Sequence, residues 1–170
     1  MRIYVTGVSG VGKSTLVKEL NKKGTTSFDI DSVRGLCHWR NKKTGKRAKR
    51  VLGVNKDWLE AHNWVCDIKK LKKLINSKDK IVIAGSASNQ NNFLSLFDQI
   101  FLLHCREKVF LNRLKKRRNN DFGKSKSERE IILKWYRTFQ DDMIKRGAIP
   151  INSEKPVSII AKEIIRKINL

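Results

Sequence analysis

The chain has 170 residues, of which 39% are hydrophobic and 32% are charged, a length and composition that suit one domain with a buried core. Lysine and arginine outnumber aspartate and glutamate by 38 to 16, and the formal net charge of +22 should attract polyphosphates or nucleic acid. Cys37, Cys66 and Cys105 are widely spaced, which argues against a disulfide framework or a zinc site. No apolar run suits a signal peptide or a membrane span. We therefore expect a cytoplasmic protein of a single domain, residues 1–170, with no membrane association.

Short apolar runs alternate with helical patterns along the whole chain. Strands are predicted at residues 2–6, 26–31, 80–85, 99–105 and 148–152, and helices at 13–23, near 56–76, and at 106–117, 127–146 and 156–168. This alternation predicts an α/β fold with five parallel strands and helices on both faces of the sheet. Two polar and basic segments interrupt the pattern. Residues 40–54 are predicted to form a basic loop, and residues 118–128 a short lid over a ligand.

Residues 7–14 read GVSGVGKS and follow the first predicted strand, where they lead into the first predicted helix. The complete GxxxxGKS pattern in this context is typical of a phosphate-binding loop. Its glycines let backbone amides surround a phosphate, and the helix N-terminus adds partial positive charge. Lys13 is predicted to contact the β- and γ-phosphates, and Ser14 to bind Mg²⁺. The nucleotide-binding residues predicted here are Gly7, Val8, Ser9, Gly10, Val11, Gly12, Lys13, Ser14 and Thr15.

Two carboxylates end the second predicted strand, in the stretch FDIDSVR. Alternate strand residues point the same way, and parallel sheets bind ligands at the carboxyl ends of their strands. Asp29 and Asp31 are therefore predicted to face the phosphate site. A carboxylate just before SVRGL also suits the N-cap of a helix, which leaves a second interpretation open for Asp31.

Three of the four tryptophans lie between the second and third predicted strands. Aromatic faces stack on a base or another ring, and His62 can donate a hydrogen bond to a substrate oxygen. Trp39, His62 and Trp64 are therefore predicted to bind an acceptor molecule. Core packing along an amphipathic helix is the alternative role for these tryptophans, above all for Trp58.

The third predicted strand ends in GSASNQ. Gly85 permits close approach of the backbone, and Ser86 and Asn89 carry groups that can bond an acceptor. No aspartate follows this strand directly. The expected metal site therefore depends on Ser14 and Asp29.

The phosphate loop, the chain length and the strand spacing together resemble the small P-loop kinases, which include nucleoside monophosphate kinases, shikimate kinase, gluconate kinase and polynucleotide 5′-kinases. The resemblance covers essentially the whole chain and implies a three-layer P-loop NTPase fold that uses ATP and Mg²⁺. Similarity to shikimate kinase implies that Asp31 is a general base or orients the acceptor, and that Asp29 is an outer ligand of the metal. Similarity to polynucleotide kinases implies that Arg34 grips an acceptor phosphate.

The predicted helix before the lid carries Arg113 and Arg117, which are neighbours on one helical face because they are four residues apart. Adenylate kinase-like enzymes have a similar RxxxR, in which the first arginine packs on adenine and the second meets the transferred phosphate. A solvated basic helix end is the alternative for Arg117. By the same resemblance, Ser153, Lys155 and Pro156 are expected to contact the nucleotide.

The resemblance thus implies transfer of the γ-phosphate of ATP to a nucleotide or another small molecule. A GTPase-like switch is disfavoured because no NKxD tetrapeptide is present. A polynucleotide 5′-hydroxyl kinase or a nucleic-acid-binding NTPase remains an alternative because the chain is so basic. Tryptophan-rich pockets suit an enclosed ligand, which favours the small acceptor. The oligomeric state stays open.

Overall fold

The computed structural model describes residues 1–118 and 121–169. The strands are β1 (Arg2–Thr6), β2 (Ser27–Asp29), β3 (Cys37–Asn41), β4 (Arg47–Ala48), β5 (His62–Cys66), β6 (Ile81–Ala84), β7 (Gln99–His104) and β8 (Ile149–Asn152). The helices are α1 (Lys13–Lys22), α2 (Lys56–Ala61), α3 (Ile68–Ile75), α4 (Glu107–Lys116), α5 (Lys126–Lys145) and α6 (Val157–Ile168). Two 3₁₀ turns, Gln90–Asn92 and Leu94–Leu96, precede β7.

The central sheet has the strand order β2-β6-β1-β7-β8, and every neighbouring pair is parallel. In β1 the consecutive residues Ile3, Tyr4 and Val5 are all fully buried. Successive strand residues point to opposite faces, so both faces of the sheet are covered. The predicted five-stranded parallel sheet of an α/β fold is confirmed, and the phosphate loop follows its central strand.

A second, antiparallel sheet has the order β4-β3-β5 and was not predicted. The segment near 56–76 was predicted as one helix, and this prediction is wrong in its middle part. Residues 62–66 (HNWVC) form β5, which pairs with β3 so that Trp64 lies opposite Trp39. A new helix begins after Asp67, whose side chain accepts a hydrogen bond from the Lys70 amide at 3.1 Å.

The predicted basic loop at 40–54 begins as a β-hairpin rather than as irregular chain. Arg47 of β4 pairs with Arg40 of β3, and the Asn41 side chain accepts hydrogen bonds from the amides of Lys43 and Thr44 at 3.0 and 2.9 Å. Such side-chain bonds to the backbone two and three residues on stabilise tight turns. The hairpin is held by its own turn chemistry and by β5.

The predicted lid, 118–128, contains residues 119 and 120, which lie outside the described residues. Its second half leads into α5, which begins with a capping box between Ser125 and Glu128. Between residues 1–118 and 121–169, no helix is both long and apolar enough to span a bilayer.

Gly85, predicted to bind substrate, has a packing role instead. A Cβ atom at this position would lie 2.1 Å from Cγ1 and 2.4 Å from Cδ1 of Ile30, and Ile30 is fully buried. The missing side chain thus lets the segment after β2 pack against the end of β6.

We expect Gly85→Ala to lower the free energy of unfolding by about 1–3 kcal/mol, because the added methyl group over-packs a filled core. Urea denaturation measures this change. The matched double variant Gly85→Ala with Ile30→Ala should cost less than the sum of the two single changes, because one removes the atoms that the other meets. Additive costs would show that Gly85 does not make room for Ile30.

Candidate active site

The phosphate-binding loop connects β1 to α1, and its backbone requires glycine at both ends. Gly7 has φ +146°, and a Cβ there would lie 2.4 Å from the Leu103 carbonyl oxygen. Gly12 has φ +111° and is the N-cap of α1. Because side chains are strained or excluded at these positions, the loop exposes backbone amides beside a helix N-terminus, where an anion is stabilised.

Lys13 folds back along the phosphate-binding loop. Its Nζ donates hydrogen bonds to the carbonyl oxygens of Gly7 at 2.6 Å and Val8 at 3.1 Å. Burial lowers the pKa of Lys13, and the negative charges of Asp31 and Asp29 oppose that shift. Two backbone carbonyl groups thus hold the ammonium group against the loop, at the wall of the cavity that the loop borders.

Asp29 joins the start of α1 to the end of β2. Its Oδ2 accepts a hydrogen bond from Ser14 Oγ at 2.5 Å, and its Oδ1 accepts one from the Asp31 amide at 3.0 Å. The hydroxyl and the carboxylate both line the cavity beside the phosphate-binding loop, and hard oxygen donors of this kind suit Mg²⁺. Among residues 1–118 and 121–169, no group of three or more His, Cys, Asp or Glu could hold a metal. A Mg²⁺ ion held by Ser14 and Asp29 would take further ligands from phosphate and water oxygens, as Mg²⁺ commonly does.

Asp31 follows β2 and is oriented by a tryptophan. Trp64 Nε1 donates a hydrogen bond to Asp31 Oδ1 at 2.9 Å. Desolvation and then repulsion from Asp29 raise the pKa of Asp31, while Lys13 and the Trp64 hydrogen bond lower it. The alternative role as a helix N-cap is wrong, because residues 30–35 form turns and the next element is β3.

The nucleotide cavity, which lies beside the phosphate-binding loop, has a volume of about 660 Å³. The predicted nucleotide-binding residues on its wall are Gly10, Val11, Gly12, Lys13, Ser14, Thr15, Arg113, Ser153 and Lys155. Gly7 and Val8 supply the carbonyl groups that hold Lys13. Pro156 lines neither this cavity nor the next one and instead caps the start of α6.

A second cavity of about 610 Å³, the acceptor cavity, lies on the other side of Lys13 and Asp31. Of the residues predicted from the sequence, Ser9, Trp39, His62, Trp64 and Ser86 line it. Sequence reasoning missed the other part of the wall, which includes Lys42, Arg50, Phe122, Ile132, Lys134 and Trp135. Lys13 and Asp31 line both cavities, so the two spaces meet at these side chains.

The two arginines of the RxxxR pattern have different surroundings. Arg113 donates to the Val11 carbonyl at 3.1 Å and to the Ser153 carbonyl at 2.9 Å, so it links the phosphate-binding loop to the segment after β8. Arg117 lines the nucleotide cavity. Burial lowers the pKa of Arg117, and the charges of Asp31 and Glu128 oppose this shift. Arg117 is therefore a partly buried cation near Asp31 and not a solvated helix end.

Two predicted acceptor contacts, Arg34 and Asn89, are not placed to bind a ligand as expected. Arg34 is exposed in the turns after β2 and lines neither cavity. Asn89 uses its side chain on the backbone of Cys66, accepting from its amide at 2.9 Å and donating to its carbonyl at 2.8 Å. The ligand-binding predictions for Arg34 and Asn89 are therefore corrected.

His62 borders the acceptor cavity, but both of its ring nitrogens are engaged. Nδ1 lies 2.7 Å from the Trp58 carbonyl oxygen, which only accepts, so Nδ1 carries the proton. Nε2 then accepts from Asn41 Nδ2 at 3.3 Å. The ring also stacks on Trp58 with a centroid distance of 4.1 Å. His62 therefore supports the aromatic wall and is not a free donor for substrate.

The fold and the loop geometry define a P-loop protein of the small-kinase type. A family model described as "AAA domain" matches residues 3–133, and the chain belongs to this family. The resemblance to the small P-loop kinases is confirmed at the level of the fold. No curated protein matches the sequence significantly.

Several solved structures resemble the chain over nearly its whole length. Deoxyadenosine kinase from M. mycoides with bound dATP has 18% identity and a TM-score of 0.56, with 100% of both chains covered. Shikimate kinase from Acinetobacter baumannii in complex with shikimate has 19% identity and a TM-score of 0.61, with 99% of this chain and 92% of that chain covered. A gluconokinase from Sinorhizobium meliloti has 15% identity and a TM-score of 0.56, with 99% and 93% covered. At these identities the likeness establishes the fold.

The hydrogen bond from Trp64 to Asp31 predicts a pH effect on phosphoryl transfer. If Asp31 must be ionised, activity is lost as the pH falls through its pKa, and the bond from Trp64 lowers that pKa. Trp64→Phe should therefore move the acidic limb of the kcat/KM profile to higher pH, and Asp31→Asn should remove both the limb and most of the turnover. If the acidic limb does not shift in Trp64→Phe, Asp31 is not the group whose protonation causes the loss of activity at low pH.

Proposed function

We propose that the protein is an ATP-dependent phosphotransferase that moves the γ-phosphoryl group to a nucleotide or another small-molecule acceptor. The meeting of the nucleotide cavity and the acceptor cavity at Lys13 and Asp31 carries this proposal. A phosphoryl group leaving one cavity enters the other at the point where a cation and a carboxylate stand together.

Each residue of the site has a role in transfer that follows from its position. The amides of the phosphate-binding loop and Lys13 hold the β- and γ-phosphates, and Arg117 stabilises the charge that spreads over the transferred group. Asp31 orients an acceptor hydroxyl and takes its proton as the new phosphorus–oxygen bond forms and the bond to the β-phosphate oxygen breaks. A Mg²⁺ ion held by Ser14, with Asp29 as its outer partner, would neutralise charge on the phosphates.

The wall of the acceptor cavity favours an acceptor with a planar ring. Trp39 packs against Trp64 at a centroid distance of 5.5 Å and against Phe122 at 6.0 Å, and Trp135 lies on the α5 side of the same cavity. Aromatic side chains give a ring a large apolar contact surface. A nucleoside or nucleotide therefore fits this wall better than a sugar acid, whose hydroxyl groups need many polar partners.

An acceptor screen tests the proposed function. Purified protein is incubated with γ-labelled ATP and Mg²⁺, and with nucleosides, nucleoside monophosphates, sugar acids or a 5′-hydroxyl oligonucleotide. Lys13→Ala is the matched control, because loss of the charge on the β- and γ-phosphates should reduce transfer by about 100-fold or more. Equal labelling by both proteins, or labelling of no acceptor at all, would refute the proposal.

A polynucleotide 5′-hydroxyl kinase is the second candidate, and the β3–β4 hairpin is the feature that favours it. Lys42 of the hairpin turn lines the acceptor cavity, whereas Lys43, Lys46 and Arg47 are exposed and line neither cavity. A strand that ends in the cavity would pass over these exposed cations, whereas a small acceptor would not reach them.

Neutralising Lys43, Lys46 and Arg47 together while keeping Lys42 separates the two candidates. For a small acceptor we expect kcat/KM to stay within about twofold of wild type, because exposed charges outside the cavity contribute little. For an oligonucleotide, loss of phosphate contacts should weaken binding and flatten its dependence on salt. The measurement is transfer to both acceptors at two salt concentrations. A robust oligonucleotide reaction that the triple variant loses, without small-molecule transfer, would favour the second candidate.

A further inference from the structure

Glu128 is a buried carboxylate in the cap of α5. Helix caps are usually exposed to solvent, so its burial needs a further explanation. It is fully buried in the first turn of α5, where its amide donates to Ser125 Oγ at 3.2 Å and its Oε2 accepts from the Ser125 amide at 3.3 Å. A carboxylate that is removed from water is costly unless it is paired. Its partner is Arg50, whose Nη1 lies 2.7 Å from Oε1.

The same carboxylate reaches into the lid. Its Oε2 also accepts a hydrogen bond from the Gly123 amide at 2.9 Å. The preceding residue, Phe122, offers its carbonyl oxygen to Nη2 of Arg117. A continuous series of polar contacts therefore runs from Arg50 through Glu128 and the lid turn at 122–123 to Arg117.

Among residues 1–118 and 121–169, Arg117 has few hydrogen-bond partners. Its Nε is buried and has no hydrogen-bond partner within the described part of the chain, so the bond to the Phe122 carbonyl is a major constraint on its guanidinium group. Glu128 raises the pKa of Arg117 and Arg50 lowers it, although burial has the largest effect. The ion pair thus acts on Arg117 through the lid backbone and through the local field.

Arg50 belongs to the basic segment at 40–54 and lies over the acceptor cavity. Its guanidinium carbon is 5.8 Å from the centroid of the Phe122 ring, and the Phe122 ring lies 6.0 Å from that of Trp39 on β3. Arg50 and Phe122 both line the cavity. The basic segment and the lid therefore meet above the place where the acceptor would bind.

We propose that Arg50 and Glu128 are positioning residues for Arg117, and that their ion pair holds the lid turn so that Arg117 faces the transferred phosphoryl group. This inference rests on the proposed function. It gives the basic segment a role in transfer, because Arg50 on the acceptor wall sets the position of Arg117 in the nucleotide cavity.

The test compares Arg50→Ala and Arg50→Lys with two controls. Arg47→Ala removes an exposed arginine of the same segment, and Ser125→Ala weakens the cap of α5 but leaves the ion pair. We expect Arg50→Ala to lower kcat by about tenfold or more with the KM for ATP within about threefold, since the interaction acts in the transition state. Arg50→Lys should recover part of kcat because it keeps the charge. With a small-molecule acceptor, Arg47→Ala should match wild type, because Arg47 is exposed and lines neither cavity. Ser125→Ala should lower Tm while keeping kcat.

Hydrogen exchange of the lid amides supplies a readout that does not need turnover. Arg50→Ala should speed exchange at Gly123 and Ser125, whose amides donate to Glu128, whereas Arg47→Ala should not. Unchanged exchange in Arg50→Ala, or equal losses of kcat in Arg50→Ala and Ser125→Ala, would overturn the inference. A wild-type protein that transfers phosphate to no acceptor would instead refute the proposed function, and the inference about Arg117 would fall with it.

Discussion

The carboxylate of Asp29 is the contact on which the site depends. One oxygen accepts a hydrogen bond from the Ser14 hydroxyl at 2.5 Å, and the other accepts one from the Asp31 amide at 3.0 Å. The first residues of α1 and the turn after β2 are therefore locked to one group. Since Asp29 is buried at the end of a parallel strand, the sheet itself fixes how far Asp31 stands from the phosphate-binding loop.

In the candidate site, burial and nearby opposite charges shift the pKa values of the ionisable groups in opposite directions. Desolvation lowers the pKa of Lys13 and of Arg117 and raises that of Asp31, and in each case the opposite charges nearby reduce the shift. Charged groups in such a setting interact more strongly than in water. The arrangement places two cations and a carboxylate together on the wall of the nucleotide cavity, which suits stabilisation of a migrating phosphoryl group.

Local patterns predicted the part of the site that depends on short-range chemistry. The phosphate-binding loop follows from glycine spacing, and the placement of Asp29 and Asp31 follows from strand periodicity and the common edge of parallel strands. The second sheet did not follow, because β5 is only five residues long and its partner β3 lies more than twenty residues away. Nor did the roles of Gly85 and Asn89, which depend on what packs against them: Ile30 for one and the Cys66 backbone for the other. Arg50 and Trp135 reach the cavity only through contacts between distant segments, which leave no periodic signal.

The basic composition of the chain does not determine which acceptor the cavity suits, because the positive charge is unevenly distributed. The basic residues on the acceptor wall are Lys13, Lys42, Arg50 and Lys134, and the acidic ones are Asp31 and Glu60. Because Arg50 is neutralised by the buried Glu128, the cavity itself is close to electrical balance. Most of the excess positive charge therefore lies outside it, where it can attract anions to the surface without selecting what enters. Under the proposed function, selection within the cavity would depend on its aromatic walls and on the hydrogen bond that directs Asp31. The basic composition is therefore compatible with a small acceptor.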